Sequence, residues 1–255
     1  MELLLLAVLG FFAGFVDAVV GGSGLIQLPA MFTVYPNAPH GALFGTNKFS
    51  SVFGTTAATL RYARGLAMPW PMLVPACIGA LIFSFLGARI VSMMPVPLIR
   101  PLVLALLIGV TIYTFLKKDL GSVHGPRLRG VSEKWLGFAV GTMLGFYDGF
   151  FGPGTGMFLI FVFVRFFGYD FLNASASAKV VNTVTNLAAL LYFIPSGNII
   201  WAAALVMATA NITGSFVGSH MAIRRGADFV RRMFLVVLTV LIAKFGYDTL
   251  VSWTA

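Results

Sequence analysis

Charge is scarce in this chain. Only 10% of its 255 residues are Asp, Glu, Lys or Arg, against roughly a quarter in a soluble domain, which leaves too little polar surface to solvate a globule of this size. Cysteine is scarcer: Cys77 stands alone inside an apolar run, and the three histidines are scattered without a ligand spacing. A disulfide framework and a metal centre are thereby excluded, and no cofactor is expected. Acidic residues number 8 against 17 basic ones, a net charge of +9. That excess does not point to nucleic acid, because the basic residues lie mostly at helix ends and in loops, where they set topology and meet anionic headgroups. The alternating segments of about ten residues that build a membrane β-barrel are missing as well. At the N-terminus, Glu2 occupies the place of a basic leader region and no small-x-small site follows, so this segment is expected to be retained.

What is abundant is apolar sequence in long runs, at 72–94, 96–116, 198–223 and 229–251. Each matches the ~20 residues that span a bilayer core. The chain therefore reads as an all-α polytopic membrane protein, with the lipid bilayer as its solvent.

A shift of 131 residues superimposes the unusual positions. Gly10 falls on Gly141, Gly14 on Gly145, Asp17 on Asp148, Gly21 on Gly152, Lys48 on Lys179 and Trp70 on Trp201. Coincident glycines are cheap in such a composition, but Asp, Lys and Trp at one offset are not. Three regions follow: a first repeat over 1–116, a basic linker over 117–133 and a second repeat over 134–255. Each repeat opens with an apolar stretch broken by glycines, 2–36 and 134–168. Three apolar helices follow each, at about 42–64, 70–93 and 97–116, then 174–195, 198–223 and 229–251.

Charge decides how the broken stretches sit. If each crosses the membrane once, the basic residues divide seven to seven across it, against the positive-inside rule. If each is a re-entrant helix–loop–helix hairpin, Arg165, Arg224, Arg225, Arg231 and Arg232 join Arg61, Arg64, Lys117, Lys118, Arg127, Arg129 and Lys134. Twelve then stand inside against Arg89 and Arg100 outside. Three crossings per repeat make the two repeats inverted, with a cytoplasmic linker and both termini periplasmic, the plan of many secondary transporters.

Non-helical backbone at membrane depth survives only where protein buries it or water lines it. "GGSG" (21–24) and "GPGTG" (152–156) are thus candidate hairpin tips. Helices restarting near Leu25 and Met157 would aim free N–H groups and a positive dipole end inward, a ready anion site. Gly22, Ser23, Gly24, Gly154, Thr155 and Gly156 are the backbone and hydroxyl candidates. The spacing of Gly10 with Gly14, and of Gly141 with Gly145, is better explained by close helix packing. Lys48 and Lys179 are cations on apolar helices, a rare placement that is usually functional or paired. Asn47, Asn182 and Asn186 are neutral amides suited to a lined cavity, and Asn211 belongs to the same type. Asp17 and Asp148 either couple protons or are carboxylates held by backbone N–H groups or by Lys48 and Lys179; the second reading is favoured. His220 and the i, i+4 pair Lys244 and Asp248 read as structural.

"GFVDAVVGGSGLIQLPAMF" with "GTNK", and "GFYDGFFGPGTGMFLIFVFV" with "ASAKVVNTVTNLAALLYFIPSGNIIW", closely resemble the sulfite exporter TauE/SafE family over nearly the whole chain. The resemblance implies a bacterial inner-membrane permease, with a small sulfur-containing anion such as sulfite or an organosulfonate as its partner. One departure is visible: the first glycine motif is a residue shorter than the second. Two alternatives to an alternating-access transporter are a passive anion channel and, far less favoured, an intramembrane serine protease using Ser23 with His220 as base.

Overall fold

A computed structural model describes residues 1–91, 121 and 123–254, with side chains described except at 91, 241 and 244–254. The expected helix over 97–116, Arg100, Lys117 and Lys118 lie outside the described residues, and the Lys244–Asp248 pair falls where side chains are not described. Within them the protein is helical, without strands. The helices are α1 (Glu2–Val20), α2 (Ser23–Val34), α3 (His40–Gly65), α4 (Trp70–Val91), α5 (Val131–Phe150), α6 (Thr155–Val162), α7 (Phe171–Phe193) and α8 (Trp201–Thr254). A π-helical turn at Phe163–Phe167 extends α6. Gly226, at φ 74°, kinks α8 into two arms. Three described helices are long and apolar enough to cross a membrane, over 2–20, 70–90 and 201–240. Leu4, Phe12, Val74, Ile78, Leu205 and Phe216 stand exposed, an apolar exterior suited to lipid. This is a multi-pass all-α membrane protein.

Its tightest packing is between regions distant in sequence, and glycine makes it possible. Helix α1 lies along the first arm of α8 in parallel, Gly10 against Met207, Gly14 against Asn211 and Gly218 against Phe15. Helix α5 lies along α4 in the same way, with Gly137, Gly141, Gly145 and Gly149 stepping past Met72, Ala76, Ala80 and Ser84. A methyl built on Gly141 would meet the Ala76 carbonyl oxygen at 1.9 Å. Dispersion, not water exclusion, must hold helices together in lipid, and small residues let the backbones approach closely enough to gain it.

Both broken stretches are hairpins. Near the end of α1, the Ala18 carbonyl accepts from the Tyr62 hydroxyl at 2.8 Å. Ser23 then meets Ser51, Gln27 meets Ser50, and Phe32 reaches His40, so α2 runs back along α3. The second hairpin closes at its base, where Arg127 N–H donates to the Phe167 carbonyl at 2.9 Å just before α5 begins. Helices α3 and α7 run antiparallel, with Thr59 on Thr183 and Gly45 on Phe193. The first arm of α8 instead runs with α3: Gly54 faces Asn211, Arg61 meets His220 and Gly65 faces Ile223. Arg61, Arg64, Arg127, Arg129, Lys134, Arg165, Arg224 and Arg225 consequently gather at one end of the helices, and Arg89 stands near the other end of α4.

Gly14→Val and Gly145→Val should each force a helix pair apart, at about 1–3 kcal/mol for overpacking of this kind. The expected readout is a lower melting temperature in detergent. Gly125→Ala, where an added Cβ meets nothing within 4 Å, should leave it unchanged.

Candidate functional site

Asp17 lies in the last turn of α1 and Asp148 in the last turn of α5. A carboxylate there faces the negative end of its own helix dipole and needs a cation to offset it. The cation comes from the other half of the chain in both cases. Lys48 Nζ stands 2.7 Å from Asp148 Oδ2, and Lys179 Nζ stands 2.9 Å from Asp17 Oδ2. All four side chains are buried. Ser23 N–H adds a second contact to Asp17, at 3.2 Å on Oδ1.

Two hairpin tips meet between these pairs. A Cβ on Gly21 would lie 2.5 Å from Gly156 Cα, and the reverse clash is as severe. The turns themselves need glycine, since Gly21, Gly152 and Gly154 have φ of 79°, 89° and 85°. Tyr147 braces the second tip by donating its hydroxyl to the Pro153 carbonyl at 2.7 Å, and Thr155 donates to the Gly152 carbonyl at 2.7 Å. The helices restart at Ser23 and Thr155, two residues earlier than the expected Leu25 and Met157, because Gly22 and Gly154 take the N-cap positions without a side-chain cap.

The tips and ion pairs enclose a polar cavity of about 20 Å³, room for about one water. Gly22, Ser23, Gly24, Asn47, Lys48, Gly154, Thr155, Gly156, Asn182, Asn186, Asp17 and Asp148 line it. Lys179 does not; its side chain is wholly enclosed against Asp17. Ser51 and Thr55 also line the cavity and were missing from the sequence reading. The offset of 131 carries them onto Asn182 and Asn186 and would have found them. Gln27 was likewise missed: fully buried, it accepts from Asn47 Nδ2 at 2.7 Å and donates to Ser50 at 3.2 Å. Asn211 lies outside the lining and donates to Ser50 at 3.4 Å while accepting from Ser215. Two lysines and two aspartates cancel, so the remaining positive potential comes from the N-termini of α2 and α6. Ser23 Oγ faces Ser51 and His220 faces Arg61, so the serine–histidine dyad of the protease alternative is not assembled. Among the described residues no His, Cys, Asp and Glu cluster is placed to hold a metal.

Residues 6–245 match the profile of a family described as sulfite exporter TauE/SafE. A Haemophilus influenzae protein named "Probable membrane transporter protein" is 33% identical over 96% of this chain and 95% of its own length. A Sinorhizobium protein of similar name is 34% identical over 95% of this chain and 92% of its own. Another, from Escherichia coli K12, is 33% identical over 96% and 91%. No solved structure gives a significant match.

Removing one partner of a buried pair leaves a bare charge, which costs about 3–5 kcal/mol, whereas replacing both with apolar groups is often neutral. Lys179→Ala should therefore lower the melting temperature sharply. The double variant Asp17→Leu with Lys179→Met should recover most of the loss.

Proposed function

The chain belongs to the sulfite exporter TauE/SafE family, and on that premise we propose that it is a secondary transporter of small sulfur-containing oxyanions such as sulfite or organosulfonates. It is a membrane transporter by kinship; the anion and the mechanism are our reading. The observation that carries it is the convergence of two helix N-termini on one buried cavity that also holds the Lys48 ammonium. Sulfite or a sulfonate offers three acceptor oxygens, matched by backbone N–H groups, the Ser23 hydroxyl, amides and one cation, with no metal required.

The mechanism is alternating access, one repeat rocking against the other around a central site. Two features support it. Helices α3 and α7, equivalent under the sequence offset, run antiparallel, as an inverted repeat requires. The cavity of about 20 Å³ must widen to take an oxyanion, as it would in a carrier that rearranges around its site.

The gathering of basic residues at one end supports a cytoplasmic position for that end and for the 117–133 linker, in a bacterial inner membrane with both termini periplasmic. Reporter fusions at Ala255 should be active only on the periplasmic side; cytoplasmic activity would reverse the orientation.

Purified protein titrated with sulfite, sulfoacetate, taurine, thiosulfate and sulfate should show a rise in melting temperature with at least one of them. Lys48→Ala should lose most of that rise. A panel without effect on the wild type would overturn the substrate class.

A further inference from the structure

The offset of 131 makes the two ion pairs equivalent in sequence, yet their surroundings differ. Lys179 is completely enclosed and stands outside the cavity lining, and Asp17 is held twice, by Lys179 and by Ser23 N–H. Lys48 and Asp148 both line the cavity. Among the described residues Asp148 has no partner beyond Lys48. Loop length explains the difference. Only Gly21 and Gly22 separate α1 from α2, so the first N–H of α2 falls back on Asp17. Residues 151–154 separate α5 from α6, which carries the new helix start away from Asp148 and lays Gly152 against the Lys48 ammonium instead, with a Cβ position 3.0 Å from Nζ.

We propose that Asp148 is a built-in counter-anion, held on Lys48 until a substrate oxyanion displaces it, while Lys179 and Asp17 form a clamp that does not exchange. The inference rests on the anion-transport reading above and assigns its working pair. A carboxylate with a single ionic contact is the easier to displace, because the doubly held one must break a backbone hydrogen bond as well. An incoming oxyanion finds a further partner at Asn182, which lines the cavity, is buried, and has an Oδ1 without any hydrogen bond. A half-turn of that amide presents Nδ2 as a donor. The displaced Asp148 carboxylate cannot stay buried without compensation. Water must reach it, and a cavity of about 20 Å³ must widen to admit both anion and water. The tips touching at Gly21 and Gly156 are the contact that has to part, so anion entry is tied to rearrangement of the two halves.

Opposite effects of two isosteric variants test this on the full-length protein, with sulfite as the probe. Asp148→Asn removes the competitor: sulfite should bind tighter, by about ten-fold if the pair is open in roughly a tenth of molecules, while turnover in proteoliposomes slows. Asp17→Asn unties the clamp: the ligand-free melting temperature should fall and sulfite should bind more weakly. A general loss of structure cannot tighten binding, so the sign of the Asp148→Asn effect is decisive. If the wild type binds sulfite and Asp148→Asn does not bind it tighter, or if both variants tighten binding equally, the proposal falls and anion transport stands. If the wild type binds neither sulfite nor the other panel anions, both readings fall together.

Discussion

The two crossed ion pairs are the constraint on which the rest of the structure depends. A lysine or aspartate buried at membrane depth is tolerable only when compensated, and here neither half compensates its own charges. Lys48 neutralises Asp148 and Lys179 neutralises Asp17, so each half is electrostatically incomplete alone. The exchange of helices follows the same logic: α1 packs on α8 and α5 on α4, which ties the beginning of each half to the fourth described helix of the other.

Once the halves are locked this way, the broken backbone has somewhere to be. Non-helical glycine turns would be untenable against lipid. Between the halves they meet each other, the ion pairs, neighbouring side chains such as Met157 and Asn47, and a small polar cavity. The same burial that makes the turns possible turns two helix N-termini toward one point. On the proposed reading, capacity for an anion follows from how the breaks are sheltered, with the hydroxyls and amides along α3 and α7 beside it.

Much of this was legible in the chain itself. The scarcity of charge and the length of the apolar runs identify a membrane solvent, and the offset of 131 identifies the paired breaks, aspartates and lysines. Ser51 and Thr55 were harder to see, because hydroxyls are common along α3 and form ordinary helix contacts such as that of Thr55 with the Ser51 carbonyl. Only their alignment with Asn182 and Asn186 marks them. Gln27 carried no such sign, since a lone glutamine in an apolar segment has no characteristic partner spacing.

By itself the sequence determined the membrane class, the offset of 131 between matching residues, the places where helices must stop, and the residue types gathered there. These are properties of local pattern and solvent, and each can be read within a window of one or two helices. Tertiary structure alone decided which lysine meets which aspartate, that Lys179 is sealed away while Lys48 faces the cavity, and how tightly the tips close. Those outcomes turn on contacts between residues 100 or more positions apart and on a length difference between two turns. The difference acts only after the halves have packed, by placing one helix N–H within reach of Asp17 and carrying its counterpart away from Asp148.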